Sequence, residues 1–200
     1  MDVQKVKCMI VGDSFVGKTT MIEKYTECKD GIPFHCHPTP LEIDENKVDL
    51  IIQDTIGEHG YDNINQSYYP DTDVVLLCFS LVEPCSYENI YQKWHPEVTN
   101  HCPNIPVVVV GTKNDLAHDP EQVNFFRTQD SGFRTPLTSG DGLRLCEDIG
   151  AVNYVECSAA TRKGVKNVFI AAARAAMQNN VSRMIDTRIN FSKLKLEGRF

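Results

Sequence analysis

The chain has 200 residues, of which 42% are hydrophobic and 24% are charged, and its formal net charge is −7. This length and composition suit one globular domain with a substantial core, and no internal repeat is visible. The acidic balance argues against a general nucleic-acid surface, which needs a basic face to release counterions from phosphate. Of the eight cysteines, Cys8, Cys78 and Cys157 lie in apolar, strand-like runs, so we expect free thiols in a reducing cytosol rather than disulfides.

Strand-like apolar runs alternate with helix-length segments, which is typical of a wound, mostly parallel α/β sheet. The predicted strands are 6–11, 41–43, 48–52, 74–79, 107–110 and 154–157. The second and third are separated only by the polar turn 44–47, so they should form an antiparallel hairpin at one sheet edge. The predicted helices are 18–27, 86–100, 140–149 and 165–177, with a short extra helix over 121–128 and a tail over 181–200.

Residues 12–19 have the sequence GDSFVGKT, the G-x-x-x-x-G-K-T pattern of a phosphate-binding loop between a strand and a helix. Its glycines let backbone N–H groups surround phosphate oxygens, while Lys18 supplies a positive charge and the Thr19 hydroxyl can ligate Mg²⁺. A glycine turn between strand and helix is the simpler alternative. We predict that a nucleotide contacts Gly12, Asp13, Ser14, Phe15, Val16, Gly17, Lys18, Thr19 and Thr20.

A second motif, Asp54-Thr55-Ile56-Gly57, follows the predicted strand 48–52. The carboxyl ends of parallel strands are where ligands bind in such sheets. There Asp54 could hold Mg²⁺ through water, and the Gly57 N–H could reach a γ-phosphate. Alone, the motif is a weak signal and is more often a turn.

Two further motifs could bind guanine. In Thr112-Lys113-Asn114-Asp115, the Asp115 carboxylate can accept from both N1–H and the N2 amine of guanine, and the stem of Lys113 can lie along the base. In Cys157-Ser158-Ala159, the Ala159 N–H can meet guanine O6. Adenine lacks these groups. Each motif alone could be a polar turn, but the ordered set predicts a site for GTP or GDP with Mg²⁺.

With these motifs and others, the chain resembles a small GTPase of the Ras superfamily, specifically of the Rho family near Rac and Cdc42. The Rho-like matches are Ser67-Tyr68-Tyr69-Pro70 with Thr72-Asp73, Cys78-Phe79-Ser80-Leu81-Val82, Lys93-Trp94 with Pro96-Glu97-Val98, His101-Cys102-Pro103-Asn104, and Gly111-Thr112-Lys113. The resemblance implies a P-loop NTPase fold over residues 1–178, with a six-stranded sheet, one antiparallel edge strand and an insert helix within 117–137. A tail over 179–200 would follow.

The resemblance also implies function. It implies a nucleotide-controlled switch that recruits effector proteins, typically toward actin or membrane traffic, and that meets exchange factors and activating proteins. We expect a monomer. Lys18, Thr39 and Glu58 would be the catalytic set, with Thr39 as the first-switch threonine that senses the γ-phosphate, and Glu58 in the place of the water-orienting residue. Thr19, Thr39 and Asp54 would surround Mg²⁺.

Four residues depart from the family pattern and predict altered kinetics. Ser14 and Phe15 stand where the family has glycine and a small residue, so they should crowd the γ-phosphate and obstruct an incoming arginine; alternatively, Ser14 points outward and caps the loop. Glu58 replaces a glutamine and cannot donate a hydrogen bond to the transferring phosphoryl group. Ile32 falls where a phenylalanine packs across guanine. We expect slow hydrolysis and fast exchange, with a GTP-bound scaffold lacking significant turnover as the alternative.

The edge hairpin and the C-terminal region also depart from the pattern. Thr39 and Asp54 are about seven residues closer than in the family, so the hairpin should be short and unsuited to standard Rac or Cdc42 effectors. His35, Cys36 and His37 favour a solvated switch loop over a zinc site.

The last cysteine is Cys157, so we expect no prenylation or other lipid anchor at the end of the chain. Residues 181–200 hold five basic and two acidic side chains, a net charge of +3, with apolar residues between them. They could lie on an acidic membrane surface or remain solvated. We expect a cytoplasmic protein, with peripheral contact to the plasma membrane or endomembranes as an addition.

Overall fold

A six-stranded sheet forms the centre of the protein in its computed structural model, which describes residues 3–27, 37–43, 46–57, 67–121, 123–124 and 135–196, apart from the side chains at 37, 38 and 184–196. Its strands are β1 (Gln4–Val11), β2 (His37–Ile43), β3 (Asn46–Gln53), β4 (Val74–Ser80), β5 (Val107–Thr112) and β6 (Asn153–Glu156). They lie in the order β2-β3-β1-β4-β5-β6. Only the β2–β3 pairing is antiparallel, which confirms the predicted sheet and its antiparallel edge.

Helices cover both faces of this sheet. They are α1 (Lys18–Thr26), α2 (Pro84–Asn89), α3 (His95–His101), α4 (Asn114–Ala117), α5 (Ser139–Asp148) and α6 (Val165–Leu196). A π-helical turn, Ile90–Trp94, joins α2 to α3. Alternate side chains of β1 point to opposite faces, so Cys8 and Ile10 join one core with α1 and α6, whereas Met9 and Val11 join another with α2, the π turn and α5.

Two predicted helices differ from those observed. The helix predicted over 86–100 begins at Pro84, because proline is favoured in the first turn, and it is interrupted by the π turn. The helix predicted to end at Met177 continues to Leu196. The predicted C-terminal end of this helix was wrong. Loss of hydrophobic periodicity marks where the helix stops packing on the core, but a helix without glycine or proline can continue into solvent.

Other predictions about secondary structure are tested only in part. Helix α5 begins one residue earlier than predicted, because the Thr138 hydroxyl and the Asp141 carboxylate form a capping box at its start. Of the predicted extra helix, residues 121, 123 and 124 are helical, and 122 and 125–128 lie outside the described residues. The insert helix as a whole therefore stays a prediction. Within the described residues, no helix is long and apolar enough to cross a membrane.

Candidate nucleotide-binding site

The loop between β1 and α1 is held in place by backbone contacts. Gly12 has φ 148°, and a Cβ atom there would lie 2.2 Å from the Cys78 carbonyl oxygen of the neighbouring strand β4, so only glycine fits. The Thr112 Oγ1 hydroxyl lies 2.5 Å from the Val16 carbonyl oxygen, which ties the loop to the end of β5. The phosphate loop is therefore fixed by two strands beyond its own.

The Lys18 side chain is buried inside this loop. Its Nζ atom donates to the carbonyl oxygens of Gly12 at 2.7 Å and Asp13 at 2.8 Å. Burial lowers the pKa of this ammonium, while the nearby Asp54 and Asp13 carboxylates oppose the shift. A buried cation held by carbonyl dipoles is ready for a phosphate group, since the loop is already ordered around it.

Thr19 and Asp54, two of the predicted metal ligands, lie in contact. The Thr19 hydroxyl donates to Asp54 Oδ2 at 2.5 Å, and the Thr55 N–H donates to Asp54 Oδ1 at 3.0 Å. Burial raises the pKa of the Asp54 carboxyl, against the opposing effects of the Thr19 hydrogen bond and the Lys18 charge. A hydroxyl and a carboxylate beside a phosphate site are the hard oxygen donors that Mg²⁺ takes, so this pair fits the ion.

Thr39, the third predicted ligand, is not brought to this pair. It lies within β2 and is paired with Leu50 of β3. Leu50 precedes Asp54 by four residues, which is about 13 Å along a strand. The prediction placed Thr39 by its motif alone, whereas strand pairing fixes its position in this structure. Its role as a ligand stays a prediction that requires β2 to move.

A cavity of about 400 Å³ opens above the phosphate loop. Its lining combines the loop and the start of α1 with the segment after β3, namely Ser14, Phe15, Gly17, Lys18, Thr19, Thr20, Asp54, Thr55, Ile56 and Gly57. Gly57 lies directly against the loop, because a Cβ atom on it would be 2.3 Å from the Ser14 backbone nitrogen. The two predicted phosphate-contacting motifs therefore meet around one cavity.

Phe15 stands at the mouth of this cavity. Its side chain is 89% exposed, and its φ of 63° is a left-handed backbone conformation that non-glycine residues adopt at a cost. Phe15 lines the cavity although most of its surface is exposed, so the expectation that it crowds the γ-phosphate stays a prediction. The other two departures, Glu58 and Ile32, lie outside the described residues, as do His35 and Cys36.

The two guanine motifs lie side by side at the ends of β5 and β6. The Asn114 N–H donates to the Cys157 carbonyl oxygen at 3.2 Å, which joins the two loops. Ser158 is buried, and its Oγ accepts from the Thr161 N–H at 3.0 Å, so the loop that carries Ala159 is tightly turned. Asp115 lies in the first turn of α4 and is half-buried.

Lys113 precedes α4 in a left-handed conformation, with φ 57°. Burial lowers its pKa, and the Glu83 and Asp115 carboxylates oppose that shift. Its stem is thus half-buried beside Asp115, as the prediction of a lysine along the base requires.

Sequence reasoning missed two residues at this site. The Asp13 carboxylate accepts from Asn89 Nδ2 at 2.6 Å and from Trp94 Nε1 at 2.6 Å. Trp94 was noted only as part of a family match, and Asn89 was not singled out. The available signal was the polar asparagine five residues before a tryptophan in an otherwise amphipathic helix.

A larger groove, of about 530 Å³, lies away from these motifs between α3, β5 and α6. Its lining includes His95, Val98, Cys102, Ile105, Gly150 and Ala175, and none of the predicted site residues. Volume alone favours this groove, but the charged and hydrogen-bonding groups that could bind a nucleotide converge at the smaller cavity. We therefore take the smaller cavity as the site.

A family model described as the Ras family matches residues 7–178. The match spans the phosphate loop, the segment after β3 and both guanine motifs.

Proposed function

Because the chain belongs to the Ras family of GTP-binding switches, we propose that it is a Rho-type member with slow GTP hydrolysis and fast nucleotide exchange. GTP and GDP bind with Mg²⁺, which would be held by Thr19 and Asp54 and would neutralise phosphate charge. In this proposal the GTP form predominates in cells and recruits effector proteins that act on actin or membrane traffic.

Contacts among the Rho-like sequence matches support the Rho-type assignment. The Tyr69 ring stacks on His101 with ring centroids 4.8 Å apart, and its hydroxyl donates to Glu97 Oε1 at 2.9 Å. The Cys102 thiol lies 3.5 Å from the Tyr69 carbonyl oxygen. Residues from three separate matched segments thus pack on one another, so the Rho-like matches form one contiguous patch.

Phe15 is the single observation that carries the slow-hydrolysis part of the proposal. An activating protein accelerates hydrolysis by placing an arginine at the γ-phosphate, a contribution of about 10³ to 10⁵ in rate. That arginine has to pass the rim of the cavity, which Phe15 lines and where this residue is 89% exposed. Ser14, whose backbone contacts Gly57, adds a side chain to the same rim. Stimulated hydrolysis should therefore be weak.

Fast exchange is proposed from the resemblance, in which a phenylalanine that packs across guanine stands where this chain has Ile32. Ile32 provides less contact than a phenylalanine would, and an aromatic contact of this kind contributes about 0.5 to 1.5 kcal/mol. GDP should leave the protein faster than it leaves an Ile32→Phe variant.

The exposed edge strand supports an unusual choice of effectors. β2 has seven residues and forms the edge of the sheet. Pro38 and Pro40 lack N–H groups, so a strand added at this edge finds fewer donors. Effectors that bind by strand addition should dock poorly here. The protein should be cytoplasmic, with the basic residues of 181–200 allowing weak contact with acidic membranes.

Single-turnover hydrolysis of radiolabelled GTP, with and without a Rho-type activating protein, tests the proposal. We expect slow hydrolysis by the natural protein and a faster stimulated rate for Phe15→Gly and Phe15→Ala alike, since both remove the ring. Glycine also relieves the left-handed backbone, so Phe15→Gly should be about 1 kcal/mol more stable to urea than Phe15→Ala. Ordinary stimulated hydrolysis by the natural protein would contradict the proposal, and none in any variant would favour the scaffold alternative.

A further inference from the structure

The Asp13 side chain connects the phosphate loop to the helix that crosses beneath it. One carboxylate oxygen, Oδ2, accepts from the Asn89 amide, and the other, Oδ1, accepts from the Trp94 indole, both at 2.6 Å. The Asp13 carbonyl oxygen meanwhile accepts from Lys18 Nζ at 2.8 Å. One residue is thus bonded to the helix through its side chain and to the phosphate-binding lysine through its backbone.

The π turn is what allows two helix residues to reach the same carboxylate. Asn89 and Trp94 are five positions apart, and in an α-helix such positions project about 140° apart around the axis. In the π turn the hydrogen bonds span five residues, as from the His95 N–H to the Ile90 carbonyl oxygen. Positions five apart then lie nearly above one another. π turns are rare and often occur at functional sites, which makes this one informative.

The contacts are protected from water on the helix side. Trp94 is completely buried, and the Lys93 ammonium lies 4.1 Å from the centre of its ring. Hydrogen bonds to a charged group in such surroundings are stronger than those at a surface. Lys93 is also close enough to Lys18 to lower the pKa of Lys18. The π turn therefore lies within electrostatic range of the lysine that binds phosphate.

We propose that Asn89 and Trp94 are positioning residues that hold the phosphate loop in its nucleotide-binding conformation through Asp13, and that they slow nucleotide release. The inference rests on nucleotide binding at the Gly12–Thr19 loop and goes beyond it, because neither residue touches the cavity. If the contacts only stabilised the fold, weakening them would lower the stability and leave the release rate of bound nucleotide unchanged.

A charge swap tests this idea. Asn89→Asp places a second carboxylate against Asp13 and should accelerate release of radiolabelled GDP about ten-fold. In the Asp13→Asn/Asn89→Asp double variant, the introduced amide can donate to the introduced carboxylate and still accept from the Trp94 indole. That variant should release GDP about five-fold more slowly than Asn89→Asp alone. Asn100→Asp, the same change at an exposed position on α3, is the matched control.

A milder variant keeps the test valid if Asn89→Asp folds poorly. Asn89→Ala removes one hydrogen bond and should accelerate release about five-fold. Trp94 is the single tryptophan of the chain, so its intrinsic fluorescence reports on this contact without a label. We expect its emission to change when EDTA and phosphatase strip the nucleotide, and to change less in Asn89→Ala.

The outcomes separate this inference from the proposed function. Faster release in both Asn89 variants, restored by the swap and absent from Asn100→Asp, supports it. Release at the natural rate in both variants, with only the urea midpoint lowered, overturns it while leaving the switch proposal intact. If the natural protein retains no GDP, nucleotide binding itself fails, and this inference fails with it.

Discussion

The phosphate loop and the edge strand β2 differ in how much of the protein holds them. Lys18 is only 6% exposed and its ammonium already has two carbonyl acceptors, whereas Thr39 lies on an edge strand opposite Leu50, away from the Thr19–Asp54 pair. The fold therefore preorganises the groups that every bound nucleotide needs. Thr39, which we propose senses the γ-phosphate, would reach it only if β2 moved, as a switch with two populated states allows.

The largest expected effect comes from a change in the phosphate loop. Lys18→Ala removes a buried cation and leaves the Gly12 and Asp13 carbonyl oxygens without their donor, so affinity for GDP should fall at least about 100-fold. Equilibrium binding of radiolabelled GDP measures this loss. Lys24→Ala, at an exposed lysine on the same helix, should leave the affinity unchanged. A similar loss of affinity in both variants would show that the buried position of Lys18 in the phosphate loop does not matter for binding.

A smaller effect should appear on acidification. Burial raises the pKa of Asp54 above its ordinary 3.8, so protonation begins at a higher pH than for a free carboxyl. Mg²⁺ needs the ionised carboxylate, and its affinity for the GDP complex should fall about ten-fold per pH unit below that raised pKa. The free energy of unfolding of the metal-free protein should change in the opposite direction. Because the pKa of Asp54 is raised in the folded protein, the contribution of Asp54 to stability increases as the pH falls through that pKa.

Mg²⁺ titrations of the GDP complex between neutral pH and pH 4.5 would measure the first effect. Asp54→Asn should bind Mg²⁺ weakly at every pH and lose the pH dependence. A natural protein whose Mg²⁺ affinity stays constant over this whole pH range would contradict the assigned role of Asp54.

The smallest expected effect is at the edge strand. Because Thr39 is about 13 Å along the sheet from Asp54, Thr39→Ala should change GDP release by less than about two-fold. Thr19→Ala, which removes a hydroxyl in contact with Asp54, should accelerate it more. Comparable acceleration in the two variants would show that Thr39 reaches the metal in the GDP state. It would contradict the view that β2, unlike the phosphate loop, is not yet in its binding position.

Much of the fold could be predicted because it follows from local patterns. The apolar runs gave the strands of the sheet, and the polar turn before Val48 gave the antiparallel edge. The phosphate loop, Asp54 and the guanine motifs were placed because each directly follows a strand, and adjacent parallel strands bring their carboxyl ends together.

The remaining features depend on contacts between distant parts of the chain. The position of Thr39 is decided by its pairing with Leu50, and Phe15 takes a left-handed backbone conformation within the loop. The π turn exists where Asn89 and Trp94 meet a carboxylate from a loop more than seventy residues earlier. No periodicity in the helix itself encodes such a partner.

The π turn also has an evolutionary consequence. A helix whose hydrogen bonds span five residues holds one more residue per turn than one whose bonds span four. Loss of a single codon within 91–93 would leave Asn89 and Trp94 four positions apart, a spacing that places both on one side of an α-helix, about 40° apart. The bridge from this helix to the phosphate loop can thus tolerate the gain or loss of one residue between its two donors, without rebuilding the sheet.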